Sequence, residues 1–291
     1  MSAFEEIKIS CEDQYTLSGR FYPSSSEKKK PFPILISPAT GITKNFYHSF
    51  AQWLSDQSYD VLVFDFRGIG DSLTGKLKDS KASIVQWGQL DIPAAIEKLL
   101  EKTQANKVIL LGHSAGGQLL GIVPNYEKVA KVVAVSGSTG HVKGLKGRTK
   151  FLAPIMFKGI FPLARRTLGY GPTNAIGMGE NLPKDVAKQW AQFCGKPGYI
   201  INAIGDTVNT HDNFHEKITT PITALWSSDG EIATKVNVKD LLRLYPNSKT
   251  EMIELNPQSY KHKAIGHMLM FKKSHQNLWS VIENELRINV L

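Results

Sequence analysis

The chain has 291 residues, of which 42% are hydrophobic and 21% are charged, as in an ordinary globular protein with a large core. No stretch reaches the ~18 apolar residues of a membrane span. The most apolar candidate, 151–164, is too short and is interrupted by Pro154, Lys158 and Pro162. The net charge is +9, but no helix-turn-helix, zinc-finger or RNA-binding signature accompanies it, so we expect no nucleic-acid partner.

Two further features favour a cytoplasmic location. The first ten residues, MSAFEEIKIS, have neither the basic start nor the apolar stretch of a secretory signal. Cys11 and Cys194 are the two cysteines, which is too few for a disulfide framework and fits a reducing compartment. The sequence does not indicate an oligomeric state.

The order of elements predicts an α/β fold. Apolar and polar residues alternate over 4–10 and 15–23, as in an antiparallel hairpin, and continuous apolar runs typical of buried strands then alternate with helical patterns. Strand followed by helix, repeated, implies a mostly parallel sheet with helices on both faces. The predicted buried strands are 31–37, 60–66, 106–112, 131–137, 221–228 and 249–255, and the predicted helices are 43–59, 83–103, 114–123, 234–245 and 274–286.

The strand–helix alternation stops near residue 140 and resumes near residue 217. The segment between is rich in glycine, proline and aromatic residues and contains short helical pieces such as 182–194. We interpret 1–139 and 217–291 as the core, and 140–216 as an inserted cap whose prolines break it into short helices.

The sequence around Ser114 is the main indication of chemistry. Gly112-His113-Ser114-Ala115-Gly116 lies between an apolar strand and a predicted apolar helix. A serine hydroxyl is a poor nucleophile without a base, and a sharp turn flanked by glycines would expose it beside backbone N–H groups. The alternative is a glycine-rich turn that only permits close packing of helix and strand.

A Ser-His-Asp triad also needs an acid and a histidine on loops after later strands. Asp229 follows the predicted strand 221–228, and His267 follows the last strand, which gives the chain order that this scheme requires. Glu231 is a rival carboxylate and His262 a rival histidine, although His262 lies between lysines. The remaining candidates are His113, which we expect to pack under the turn, and the pair His211 and His215, whose spacing could suit a metal but lacks the glutamate of a zinc peptidase helix.

An oxyanion hole needs two backbone donors. The N–H of Ala115, directly after the nucleophile, is the first candidate. The second should come from the loop after strand 31–37, where Thr40 is preferred and Ala39 is the alternative.

These residues give the chain a clear resemblance to the α/β-hydrolase superfamily. LLGHSAGG, FDFRGIGDS, Asp229 after its strand and IGH near the end carry it over nearly the whole chain, most loosely in 140–216. More narrowly, the chain resembles a poorly characterised bacterial branch of predicted serine hydrolases. The resemblance implies Ser114, Asp229 and His267 as a triad, with neither a metal nor an organic cofactor. Many members have His-Gly where this chain has Pro38-Ala39.

The predicted function is hydrolysis of a carboxylic ester or thioester through an acyl-enzyme. The alternatives are a non-catalytic binding module with the same fold and a peripheral lipid-binding protein that uses the cap. Residues 141–215 contain ten basic and four acidic residues, so they hold +6 of the net charge of +9. An apolar, basic cap would suit a small anionic acyl substrate or a transient approach to lipid.

Overall fold

The structure, a computed structural model, describes residues 4–288. Their main feature is an eight-stranded sheet in the order β1-β2-β4-β3-β5-β6-β9-β10. The two strands at one edge pair antiparallel, and the other six are parallel to one another. The strands are β1 Glu5–Ser10, β2 Thr16–Tyr22, β3 Ile34–Ser37, β4 Val61–Phe64, β5 Val108–His113, β6 Val129–Val135, β9 Ile222–Ser227 and β10 Thr250–Leu255, with β7 Tyr170–Gly171 and β8 Leu182–Pro183 forming a separate pair.

Helices cover the sheet and close two apolar layers, as the buried strand pattern predicted. The central strands β3, β4 and β5 are buried along their whole length, because helices pack on both faces. The helices are α1 His48–Asp56, α2 Ile84–Gln86, α3 Ile92–Thr103, α4 Thr149–Ile155, α5 Phe161–Thr167, α6 Lys184–Cys194, α7 Lys235–Leu242 and α8 Trp279–Leu286.

The sheet topology brings the candidate residues together at the carboxyl ends of the parallel strands. Strands β3 and β5 are parallel neighbours, and Ser37 pairs with Gly112, so the loop after β3 lies beside Ser114. Strand β9 ends at Ser227, two residues before Asp229. Ligand sites in open α/β sheets lie outside the carboxyl ends of the strands, which is where these residues meet.

The predicted helix over 114–123 is wrong. The chain forms two short 3₁₀ turns there, Ser114–Gly117 and Leu120–Ile122. Gly121 is packed against the ring of His215, where a Cβ would lie 2.1 Å from ring atoms, so tertiary packing sets the local backbone. The turn after Ser114 therefore offers free backbone N–H groups without the dipole of a long helix.

The segment 140–216 connects β6 to β9, and its prolines do not break it as expected. Residues 149–167 form one continuous helical stretch, α4 and α5 joined by a π-helical turn at Met156–Ile160. This turn, which lies between Pro154 and Pro162, changes the hydrogen-bonding step and lets the helix continue. We call residues 149–167 the cap helix.

Within residues 4–288, the helices are too short or too polar to cross a bilayer.

Candidate active site

The turn at Ser114, directly after β5, has a strained backbone. Ser114 has φ 49°, a left-handed conformation that non-glycine residues adopt at a cost of about 1–3 kcal/mol. Its flanking glycines have no room for a side chain. A Cβ at Gly116 would lie 2.0 Å from the carbonyl oxygen of Ser37, and one at Gly112 would lie 2.3 Å from Cα of Gly117. The sequence pattern therefore has a steric origin.

Ser114 and His267 line the same cavity, as the sequence predicted. This cavity has an empty volume of about 840 Å³, part of which is open to solvent. Thr40 and Ala39 form part of its wall, and so does Gln118, which the sequence analysis did not single out. The side-chain amide of Gln118 donates to the carbonyl of Ser138. Its position four residues after Ser114 is the feature of the sequence that could have indicated its place in the cavity wall.

His267 is held as a neutral base. Burial lowers the pKa of His267 to about 4, so its imidazole is uncharged at neutral pH. Its Nδ1 is buried and has no hydrogen-bond partner within residues 4–288. A buried ring nitrogen without a hydrogen bond lowers the stability of the protein, so a hydrogen bond formed by Nδ1 would be favourable.

Asp229 holds the loop that carries His267, not the imidazole itself. Its Oδ2 accepts the N–H of Ile265 and its Oδ1 that of Gly266, both at 2.9 Å, and Ser227 donates its hydroxyl to Oδ1. Burial acts to raise the pKa of Asp229, but these hydrogen bonds outweigh it and lower the pKa. A carboxylate offers about four acceptor sites, so one site of Asp229 is left after these three hydrogen bonds.

The rival residues have other partners. Glu231 accepts the backbone N–H groups of Arg148 and Thr149 and the Thr149 hydroxyl, so it caps the start of α4. His262 is half-buried, with Nε2 2.7 Å from Asn277 Oδ1 and its ring stacked on His275. Neither rival lines the cavity of Ser114.

His113 lies under the turn, as expected, and joins two sides of the site. Its Nε2 is 2.9 Å from the carbonyl oxygen of His267, which can only accept, so Nε2 carries the proton. Nδ1 then accepts the hydroxyl of Tyr47, at 2.7 Å. Burial, followed by the nearby charge of His267, lowers the pKa of His113 to about 3 and keeps this neutral tautomer in place.

Tyr47 decides which amide faces the cavity. Its hydroxyl accepts the N–H of Ala39 at 3.0 Å, so that amide is engaged away from Ser114. The N–H of Thr40 donates no hydrogen bond within residues 4–288. Ala115 is at the start of a 3₁₀ turn, where N–H groups have no helical acceptor. The arrangement favours Thr40 over Ala39 as the second donor.

The loop that contains FDFRGIGDS is fixed by buried ion pairs. Lys44 is fully buried, with Nζ 3.0 Å from Asp65 Oδ2, and it also pairs with Asp71. Arg67 binds Asp91 through Nε at 2.6 Å and Asp13 through Nη1 at 2.6 Å. These charges are paired internally and lie outside the cavity of Ser114, so we assign them to loop structure.

His211 and His215 do not form a common site. His211 is exposed, whereas His215 is buried with its ring 5.1 Å from that of Tyr245. Across the described chain, no group of three or more His, Cys, Asp or Glu side chains is placed to hold a metal ion.

Comparisons with known proteins support the fold described above. Residues 33–152 match the family model described as alpha/beta hydrolase fold. The chain aligns along 99% of its length with a soluble variant of monoglyceride lipase from Saccharomyces cerevisiae, at TM-score 0.68 and 14% identity over 97% of that chain. The Pyrococcus furiosus esterase Pf2001 aligns over 97% of this chain and 89% of its own, at TM-score 0.62 and 14% identity. The protein therefore has the α/β-hydrolase fold, and the predicted fold class is confirmed.

Curated relatives match over shorter stretches. Lipase lipl-1 of Caenorhabditis elegans is 32% identical over 151 residues, which is 47% of this chain and 34% of the relative. Quorum-quenching protein AidA of Acinetobacter baumannii is 28% identical over 120 residues, which is 40% of this chain and 38% of the relative. The matched region thus spans about a third of the length of these relatives.

Proposed function

We propose that the protein is a serine hydrolase that cleaves a carboxylic ester or thioester through an acyl-enzyme. The observation that carries this proposal is the placement of Ser114 and His267 in one cavity, with Ser114 at a strained turn after β5. Relatives named as lipases and solved structures named as an esterase and a monoglyceride lipase support the same reaction class.

The reaction begins when Ser114 Oγ attacks the carbonyl carbon and His267 takes the hydroxyl proton. Asp229 uses its remaining acceptor site for His267 Nδ1–H and so stabilises the imidazolium. The N–H groups of Ala115 and Thr40 stabilise the oxyanion. The imidazolium then protonates the leaving alcohol or thiol as its bond to the acyl carbon breaks.

The second half returns the enzyme to its starting state. His267 takes a proton from water, and the resulting hydroxide attacks the acyl carbon. The bond to Ser114 Oγ breaks, Ser114 regains its proton from His267, and the free acid leaves. Every proton is supplied by Ser114 or water, so this scheme needs no metal or organic cofactor.

The opposing hypothesis is a binding module that retains the fold without activity. The unpaired Nδ1 of His267 favours it, because no hydrogen bond joins the side chains of Asp229 and His267 in this structure. Against it, catalytic hydrogen bonds are often long or misaligned without substrate and tighten when substrate binds.

A fluorophosphonate probe separates these two functions, because it reacts only with an activated serine. We expect one adduct on the wild type by intact mass, none on Ser114→Ala and an unchanged adduct on the surface control Ser280→Ala. A wild type that stays unlabelled while remaining folded would contradict the serine-hydrolase proposal and leave the binding module.

A further inference from the structure

The cap helix exposes an unusual amount of apolar surface. Seven of the eight large apolar residues that are exposed within 4–288 lie between positions 151 and 176. Phe151 is 70% exposed, Ile155 60% and Leu163 64%, although other apolar side chains of the same helix, such as Met156 and Phe161, are buried against the core. A helix that is apolar on its outer face as well as on its core-facing side is typical of a site that binds a second surface.

The charged residues of the cap helix and of the segment just before it are all basic. Residues 141–168 contain seven lysines and arginines and no acidic residue. On the cap helix, Lys150, Lys158, Arg165 and Arg166 form no ion pair with any residue in 4–288. Exposed apolar residues among unpaired cations are the composition of a helix that lies in an anionic membrane interface.

Residues of the exposed apolar face also line a cavity inside the protein. A mainly apolar cavity of about 710 Å³ lies behind the cap helix, and Leu152, Ile155 and Ile160 belong both to its wall and to the exposed surface. This cavity shares five wall residues with the cavity of Ser114: Gly140, Met178, Trp190, Cys194 and Ile232. The cavity behind the cap helix and the cavity of Ser114 are therefore neighbours.

We propose that the cap helix docks on an anionic lipid surface and that the two neighbouring cavities admit an acyl chain from it to Ser114. Docking is independent of the chemistry, whereas delivery to Ser114 rests on the proposed hydrolase function. The charge selects the anionic headgroups, and Phe151, Ile155 and Leu163 enter the acyl region.

The test is co-sedimentation of the full chain with phosphatidylcholine vesicles that contain no or 30% phosphatidylglycerol. We expect binding to the anionic vesicles, with unchanged affinity for Ser114→Ala. Lys158→Gln/Arg166→Gln should bind about 30-fold more weakly, at roughly fivefold per cation. Lys107→Gln/Lys249→Gln, a charge-matched control that precedes β5 and β10 at the opposite edge of the sheet, should bind as the wild type does.

The apolar part is tested with Ile155→Ser/Leu163→Ser against Val236→Ser, since Val236 is 65% exposed outside the cap. The first variant should lose vesicle binding and the second should keep it. Equal binding to neutral and anionic vesicles, or no binding, would overturn the proposal. So would a wild-type dimer in light scattering that Ile155→Ser/Leu163→Ser dissociates, because the face would then cover a second copy. Fluorophosphonate labelling in parallel separates a failure of docking from a failure of the hydrolase function.

Discussion

Asp229→Asn is the substitution that best tests how the site works. Asp229 accepts the N–H groups of Ile265 and Gly266, and in the proposed mechanism it also holds the imidazolium of His267. The amide can accept through one atom only, so one backbone N–H loses its acceptor. Because Asp229 is exposed on its other side, we expect this loss to lower the free energy of unfolding by only about 1 kcal/mol.

The effect on the reaction should be far larger. Without the carboxylate, the imidazolium is unstabilised and its tautomer is no longer fixed, which in a serine triad lowers kcat about 10⁴-fold. That factor corresponds to about 5 kcal/mol of transition-state stabilisation, since tenfold is 1.36 kcal/mol. The ratio of the two effects distinguishes a carboxylate that acts on the imidazole from one that only ties down a loop.

The assay combines the rate of fluorophosphonate labelling with urea unfolding of the same samples. Glu231→Gln is the matched control, because Glu231 is two residues away and caps α4 without touching the His267 loop. We expect that variant to label at nearly the wild-type rate. If the labelling rate of Asp229→Asn is within tenfold of the wild-type rate, the carboxylate only stabilises the His267 loop, and the triad assignment is refuted.

Three further perturbations follow from the site. Tyr47→Phe removes the partner of two buried polar groups and should lower the free energy of unfolding by roughly 2–5 kcal/mol in urea titration; an unchanged midpoint would contradict the Tyr47 link. Protonated His267 cannot accept a proton, so labelling should fall as pH falls through the His267 pKa of about 4; a limb near 6.5 would show that burial does not depress it. Gly116→Ala should unfold or aggregate, whereas Gly159→Ala, with open space around its Cβ, should leave the melting temperature unchanged or higher; a stable Gly116→Ala would disprove the steric argument.

The strands and the tight turn at Ser114 were predictable because their signals are local. Continuous apolar runs such as 108–111 occur where a strand is buried on both faces, and the structure places β5 there. The glycines around Ser114 stand in the sequence because no side chain fits beside Ser37 or Gly117. Asp229 and His267 were chosen for their positions after strands, and the structure places Asp229 against the loop of His267.

The misses depend on contacts between distant residues. The helix predicted after Ser114 has suitable apolar spacing, but the ring of His215, 94 positions away, packs on Gly121 and the chain turns instead. The role of Tyr47 depends on His113, 66 residues further on, and no local pattern marks such a pair. In the cap, prolines suggested interruption, whereas a π turn absorbs them.

The connection between β6 and β9 can vary in length and sequence without altering the pairing of the strands. The two strands are adjacent and parallel, with Val132 opposite Ile222, so a crossover of a dozen residues or more is obligatory between them. The cap helix lies on that crossover, and its length is therefore independent of strand register. If the proposed function holds, we expect an exchange of this one connection with that of another α/β-hydrolase-fold protein to change substrate selection while leaving the turn at Ser114 and its supporting strands intact.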